Sequence, residues 1–175
     1  MKSSRSAVFS FLLLLAAGCG RSTGHIPAVR DFDLSGYLGR WHEIARLPHR
    51  FERGLERVTA EYRAAPDGSV TVVNQGFRDG EARSVTGRAK LKSPGDPARP
   101  GELRVSFFGP FYADYRIIEL APDGRYAVVT GSTMDCLWIL ARRPRLDPAE
   151  LAEITARLRG LGFAVDDFEY PAPAE

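Results

Sequence analysis

The chain has 175 residues, 44% of them hydrophobic and 10% aromatic, enough for one domain with a sizeable core. Its 24 Lys and Arg stand against 22 Asp and Glu, and two of the basic residues, Lys2 and Arg5, precede an apolar run. Without residues 1–18 the two counts are equal at 22, a balance that argues against nucleic acid as a partner.

Residues 1–18, MKSSRSAVFSFLLLLAAG, have a basic start, an apolar segment from Ala7 to Leu15 and then small residues. This is the layout of a secretory signal, and the run is too short to span a bilayer comfortably. Leu15-Ala16-Ala17-Gly18-Cys19 resembles the lipobox of bacterial lipoproteins, with Ala16 where that motif prefers Leu. The resemblance implies cleavage before Cys19 and acylation of that residue, hence a membrane anchor. Gly20, rather than Asp, follows the Cys, which resembles the sorting pattern for the outer membrane, the periplasmic face being the expected side. Residues 19–30 are polar and Gly-containing, without apolar periodicity, as expected of a lipidated tether; the working domain is expected over 31–171.

Gly39-Arg40-Trp41 leads into WHEIAR at 41–46, which reads as a first strand. His42 and Glu43 then fall on opposite faces. A zinc hydrolase would need His-Glu-x-x-His on a helix, whereas here the next His is His49, beyond Pro48, and His25 lies in the tether. No metal is expected, and the histidines read as solvent-facing or loop residues. Leu47 to Arg57, LPHRFERGLER, is too polar for core and too long for a tight hairpin.

Seven further strand segments follow: VTAEYRA, SVTVVNQGF, ARSVTGRAKL, GELRVSFF, ADYRIIEL, RYAVVTG and CLWILAR. The turns between them include APDG at 65–68 and 121–124, RDG at 78–80 and SPGDPARPG at 93–101, where Pro presets φ and Gly takes positive φ. Eight strands at this spacing predict an all-β antiparallel up-and-down barrel, closed so that no edge is left exposed. Phe108-Gly109-Pro110-Phe111 forms an aromatic turn that is a candidate homodimer or membrane contact. Asp147-Pro148-Ala149-Glu150 starts one helix, whose stripe of Leu151, Ile154, Leu158 and Leu161 is expected to pack on the outside of the barrel. The tail FEYPAPAE could add a short strand.

For nucleophilic catalysis, Ser106 or Cys136 would need a positioned base and an oxyanion hole. Neither has a His near it in sequence, there is no G-x-S-x-G elbow, and with Cys19 acylated Cys136 has no disulfide partner. No enzymatic activity and no cofactor are expected.

Gly39 and Trp41, Asp135 before the eighth strand and Arg142 at its end, together with HRFERGLERVTAEY at 49–62, VSFFGPFYADY at 105–115 and LWILAR at 137–142, are similar to the conserved blocks of the lipocalins. The match is to bacterial lipocalins that are outer-membrane lipoproteins, over about residues 29–171, with Cys136 where the family's second block usually has Tyr. The resemblance implies a barrel that takes one lipid-like ligand, a fatty acid or lysophospholipid, for storage or transport in envelope maintenance. It also implies that Trp41 plugs the closed base under Arg142 and that 47–57 folds over the open mouth. Arg50, Arg53 and Arg57 there could face an anionic head group, or the loop could be merely solvated. Tyr62, Val72, Phe107, Tyr112, Tyr115 and Trp138 are the candidate cavity residues, with the inward face of each strand left open, since a one-residue slip exchanges the faces. Two other readings stay open: an enzyme using Cys136 or a bound cofactor, and a structural envelope protein with a filled barrel.

Overall fold

The computed structural model describes residues 20–49 and 52–174; Cys19 and Arg50, both named above, lie outside the described residues. Eight strands run in chain order: β1 (Gly39–Arg46), β2 (Glu56–Ala64), β3 (Val70–Arg78), β4 (Glu81–Leu91), β5 (Glu102–Phe108), β6 (Phe111–Leu120), β7 (Tyr126–Thr130) and β8 (Leu137–Ala141). Each pairs antiparallel with the next, and β1 pairs with β8, giving the expected closed up-and-down barrel. A four-residue helix, α1 (Leu34–Tyr37), precedes β1, and α2 (Pro148–Gly160) follows β8.

Alternation along the strands separates two apolar layers. Inside the barrel, Trp41, Tyr62, Val70, Val72, Leu103, Ile117, Val129 and Leu140 form one cluster with Tyr37 of α1. Between the wall and α2, Ile44, Ala45, Val128, Ile139, Ile154 and Leu158 form the other. The helix is placed by its ends: Asp147 accepts from the amides of Ala149 and Glu150, with Pro148 in the first turn. Its buried stripe ends at Leu158. Leu161, expected in that stripe, is the C-cap residue and is 44% exposed, because the chain turns away at Gly162, whose φ is +91.

Three expectations change. Residues 20–29 are not a free tether: the Thr23 amide donates to Ser132 O, its hydroxyl to Gly131 O, and Val29 N to Ile117 O, while Ile26 is buried in the outer layer. Backbone groups of polar residues find partners on the barrel, a possibility that composition alone does not show. The tail forms no strand, only one bridge between Arg46 and Glu169. The 47–57 segment is not wholly excluded from the core either, since Leu47 and Leu55 are both buried, and its last two residues already belong to β2.

Candidate functional site

The floor of the barrel is built on Gly39 and Trp41. Gly39 has φ +94, and a Cβ there would approach Arg142 Nη1 to 3.4 Å, so the bend into β1 requires glycine. Trp41 is fully buried and donates its indole N–H to Tyr37 O at 2.8 Å. The Arg142 guanidinium lies over its ring at 3.8 Å and also donates to the carbonyls of Gly36 and Arg40. Thus the two ends of the signature, at the start of β1 and just after β8, meet across the closed base.

Above this floor three phenols converge. Tyr37 Oη lies 2.5 Å and Tyr62 Oη 2.8 Å from Tyr115 Oη. Burial pushes the Tyr62 hydroxyl up to about 12 and those of Tyr37 and Tyr115 well above the usual phenol value, so all three stay neutral and bond one another. Val72 stands in the same interior cluster, and Phe107 and Trp138 pack against it. Phe107 is seated by a gap in the facing strand, since a Cβ on Gly87 would lie 2.5 Å from its Cδ1. Five of the six candidate cavity residues therefore share the interior. Tyr112 does not: its ring lies against Lys90 and Arg104, and Val105 pairs with Ala113 on the inward register, which turns Tyr112 to the outer face.

The described residues of the β1–β2 segment lie over the mouth. Trp138 donates its indole N–H to Glu52 Oε2 at 2.9 Å, and the His49 ring stacks on Trp138 with centroids 5.1 Å apart. Beneath the segment lies Arg46, which is 2% exposed. It donates to Glu43 Oε1 at 2.6 Å, to Glu169 Oε2 at 2.9 Å and to the carbonyls of Glu52 and Leu55. Glu43 is itself buried, and that burial, with the charge of Glu52, raises its carboxyl pKa against the pull of Arg46. The opening left beneath, between Glu52, Val58, Asn74, Gly76 and Val85, is about 10 Å³. A larger groove of about 260 Å³ lies at the closed end against Phe32, Leu91 and Pro97, outside the barrel interior.

The sequence placed His42 and Glu43 on opposite faces, as they are, but passed over Glu43 as functionally blank. Strict alternation would also send Arg46 to the face opposite Glu43. A register shift between Glu43 and Ala45 on the β8 side brings the two together, and no residue in WHEIAR announces that shift. Glu52 carried no signal beyond its place in the loop. Arg53 is exposed, and Arg57 is exposed with its guanidinium over Phe77; neither enters the interior.

Ser106 stands on the outward face of β5 with no hydrogen-bond partner on its hydroxyl. Cys136 has Thr133 Oγ1 at 3.7 Å, and burial pushes its thiol up to about 11, the reverse of the shift that activates a nucleophile. Asp135 is exposed on the β7–β8 loop beside Gly20.

Compared with known proteins, residues 32–173 match the family described as Lipocalin-like domain. Outer membrane lipoprotein Blc of Vibrio cholerae is 39% identical over 168 residues, covering 94% of this chain and 96% of that protein. The protein of the same name from Escherichia coli K12 is 39% identical over 163 residues, with 93% and 92% covered. Among solved structures, insecticyanin of the tobacco hornworm Manduca sexta superposes with a TM-score of 0.71 at 22% identity, covering 86% of this chain and 85% of that one, a likeness of fold.

Proposed function

The chain belongs to the lipocalin family, and on that premise we propose that it is an outer-membrane lipoprotein whose barrel binds one lipid-like ligand, a fatty acid or lysophospholipid, for envelope maintenance. Residues 1–18 act as the signal, Cys19 carries the acyl chains, and the domain over 31–171 does the binding. The outer-membrane site rests on the two bacterial relatives, which are named for it.

One observation carries the binding reading: an apolar column runs inside the barrel from Trp41 to Trp138 under a segment held by a few polar bonds. Tyr62, Val72, Phe107, Tyr115 and Trp138 would touch acyl chain, and the phenol trio offers a polar patch near the floor. Such a lining, mostly apolar with few fixed polar groups, is what small-molecule sites present. Binding is burial without chemistry, in keeping with the unactivated thiol of Cys136.

A second reading is favoured by one fact: the opening under the segment holds only about 10 Å³, less than an acyl chain needs. On that reading the barrel is filled and the protein is structural. Titration of the purified protein with a fluorescent fatty acid separates the two. Saturable binding, competed by lysophospholipid and weakened by Val72→Trp, supports the ligand reading; its absence leaves the filled barrel.

A further inference from the structure

The exposed apolar side chains are not shared evenly between the two ends of the barrel. Among the described residues, the exposed large hydrophobics are Phe77, Phe111, Leu161 and Tyr170. Phe111 is 65% exposed beside the Gly109–Pro110 turn that joins β5 to β6, and Phe77 is the penultimate residue of β3, next to the turn into β4. Tyr170 follows Glu169, which bridges Arg46 at the mouth end of β1. Leu161 precedes Gly162, where a Cβ would lie within 4.0 Å of Arg21 Nη1 and Met134 Cε, on the mouth side. All four stand at the end opposite Trp41.

The start of the described chain reaches that same end. Met134 N donates to Arg21 O at 2.8 Å, Thr23 N to Ser132 O at 3.0 Å, and Arg116 Nη1 to Thr23 O at 2.7 Å. A Cβ on Gly20 would lie 3.2 Å from Asp135 Oδ1 and from Thr133 Cβ. Cys19 is bonded to Gly20, one Cα step of about 3.8 Å away. Were residues 20–28 a free tether, their ends would spread by about 16 Å and leave the barrel unoriented. The docked segment instead fixes where the anchor emerges.

Resting on the reading of Cys19 as the acylated residue, we infer that the protein stands mouth-down on the lipid bilayer, with residues 20–26 as a strut and Phe77, Phe111, Leu161 and Tyr170 as its contact rim. Exposed aromatic and aliphatic side chains gathered at one end gain from a membrane interface what they lose in water. In this pose the mouth opens onto acyl chains, so a ligand enters the barrel without crossing the aqueous phase.

The test uses the full-length protein purified from its membrane, in a Cys136→Ser background, reconstituted in phosphatidylethanolamine and phosphatidylglycerol vesicles containing doxyl lipid. A bimane label is placed at the mouth by Ser132→Cys or at the closed end by Ala98→Cys, and intact mass reports acylation of Cys19. The expected result is doxyl quenching at least twofold stronger at 132 than at 98, reversed for aqueous iodide and reduced by Phe111→Asp. Equal quenching, or stronger quenching at 98, in acylated protein overturns the orientation while leaving the anchor standing. An unacylated mass removes the anchor reading by itself. Preferential quenching at 132 in unacylated protein upholds the rim alone, and its loss there overturns the inference as well.

Discussion

Arg46 Nη1 lies 2.6 Å from Glu43 Oε1 inside the barrel wall, with 2% and 4% of the two side chains exposed. Removing one partner of a buried pair leaves the other without its compensating contacts. Arg46→Ala takes away the group that pulls the Glu43 carboxyl pKa down, so that buried carboxyl holds its proton, and it strips the donors from Glu169 Oε2 and from the carbonyls of Glu52 and Leu55. It is expected to cost about 3 kcal/mol or more in urea unfolding and to raise amide exchange over 52–57. Unchanged exchange there would show that Arg46 does not hold the segment.

Trp138→Phe keeps an aromatic ring against His49 but removes the donor to Glu52 Oε2. One such bond is worth about 1 kcal/mol, so the open form of the mouth is expected to gain about fivefold in population. Stopped-flow mixing with a fluorescent fatty acid reads this as a faster association rate. A rate equal to that of the parent protein would place the entry barrier elsewhere.

The phenol trio makes stability depend on alkaline pH. Tyr62 titrates at about 12, raised by burial, while an unfolded tyrosine ionises near 10. Between those values the folded protein holds more protons than the unfolded one, so the stabilising contribution is complete below pH 10 and is lost as pH rises through the folded value. Absorbance titration at 295 nm should show Tyr37, Tyr62 and Tyr115 ionising late or only with unfolding. Tyr62→Phe should ease the loss of stability above pH 10.

Arg142→Lys tests the base. Lysine retains a charge near Trp41 but cannot stack a planar guanidinium on the ring while donating to two carbonyls. The expected loss is about 1 to 2 kcal/mol, read as a fall in Tm of about 2–8 °C for a domain of this size, with ligand affinity unchanged because the site lies above the floor.

Much of the barrel was legible because turn chemistry and strand alternation agree: APDG and RDG fall in the observed turns, and Asp147-Pro148 opens the observed helix. The base was legible for a different reason, since Gly39, Trp41 and Arg142 are needed as residue types. The mouth was not. Glu43 and Arg46 meet only through an irregular register, and Tyr112 followed the aromatic pattern while facing outward. Thr23 and Ile26 sit in a segment whose composition reads as linker, yet whose backbone bonds to β6 and the β7–β8 loop. Contacts between residues distant in the chain leave little local trace.

The pairing of β1 with β8 joins His42 to Ala141, about a hundred residues apart in the chain. During synthesis or export the first strand therefore waits, with one edge unpaired, until the last has emerged, and closure is the slow, non-local step of folding. An open edge is also a template for wrong partners. Substitutions along this seam, at His42 or Ala141, should lower refolding yield and promote aggregation more than comparable changes within the β3–β4 hairpin, whose strands meet through a two-residue turn.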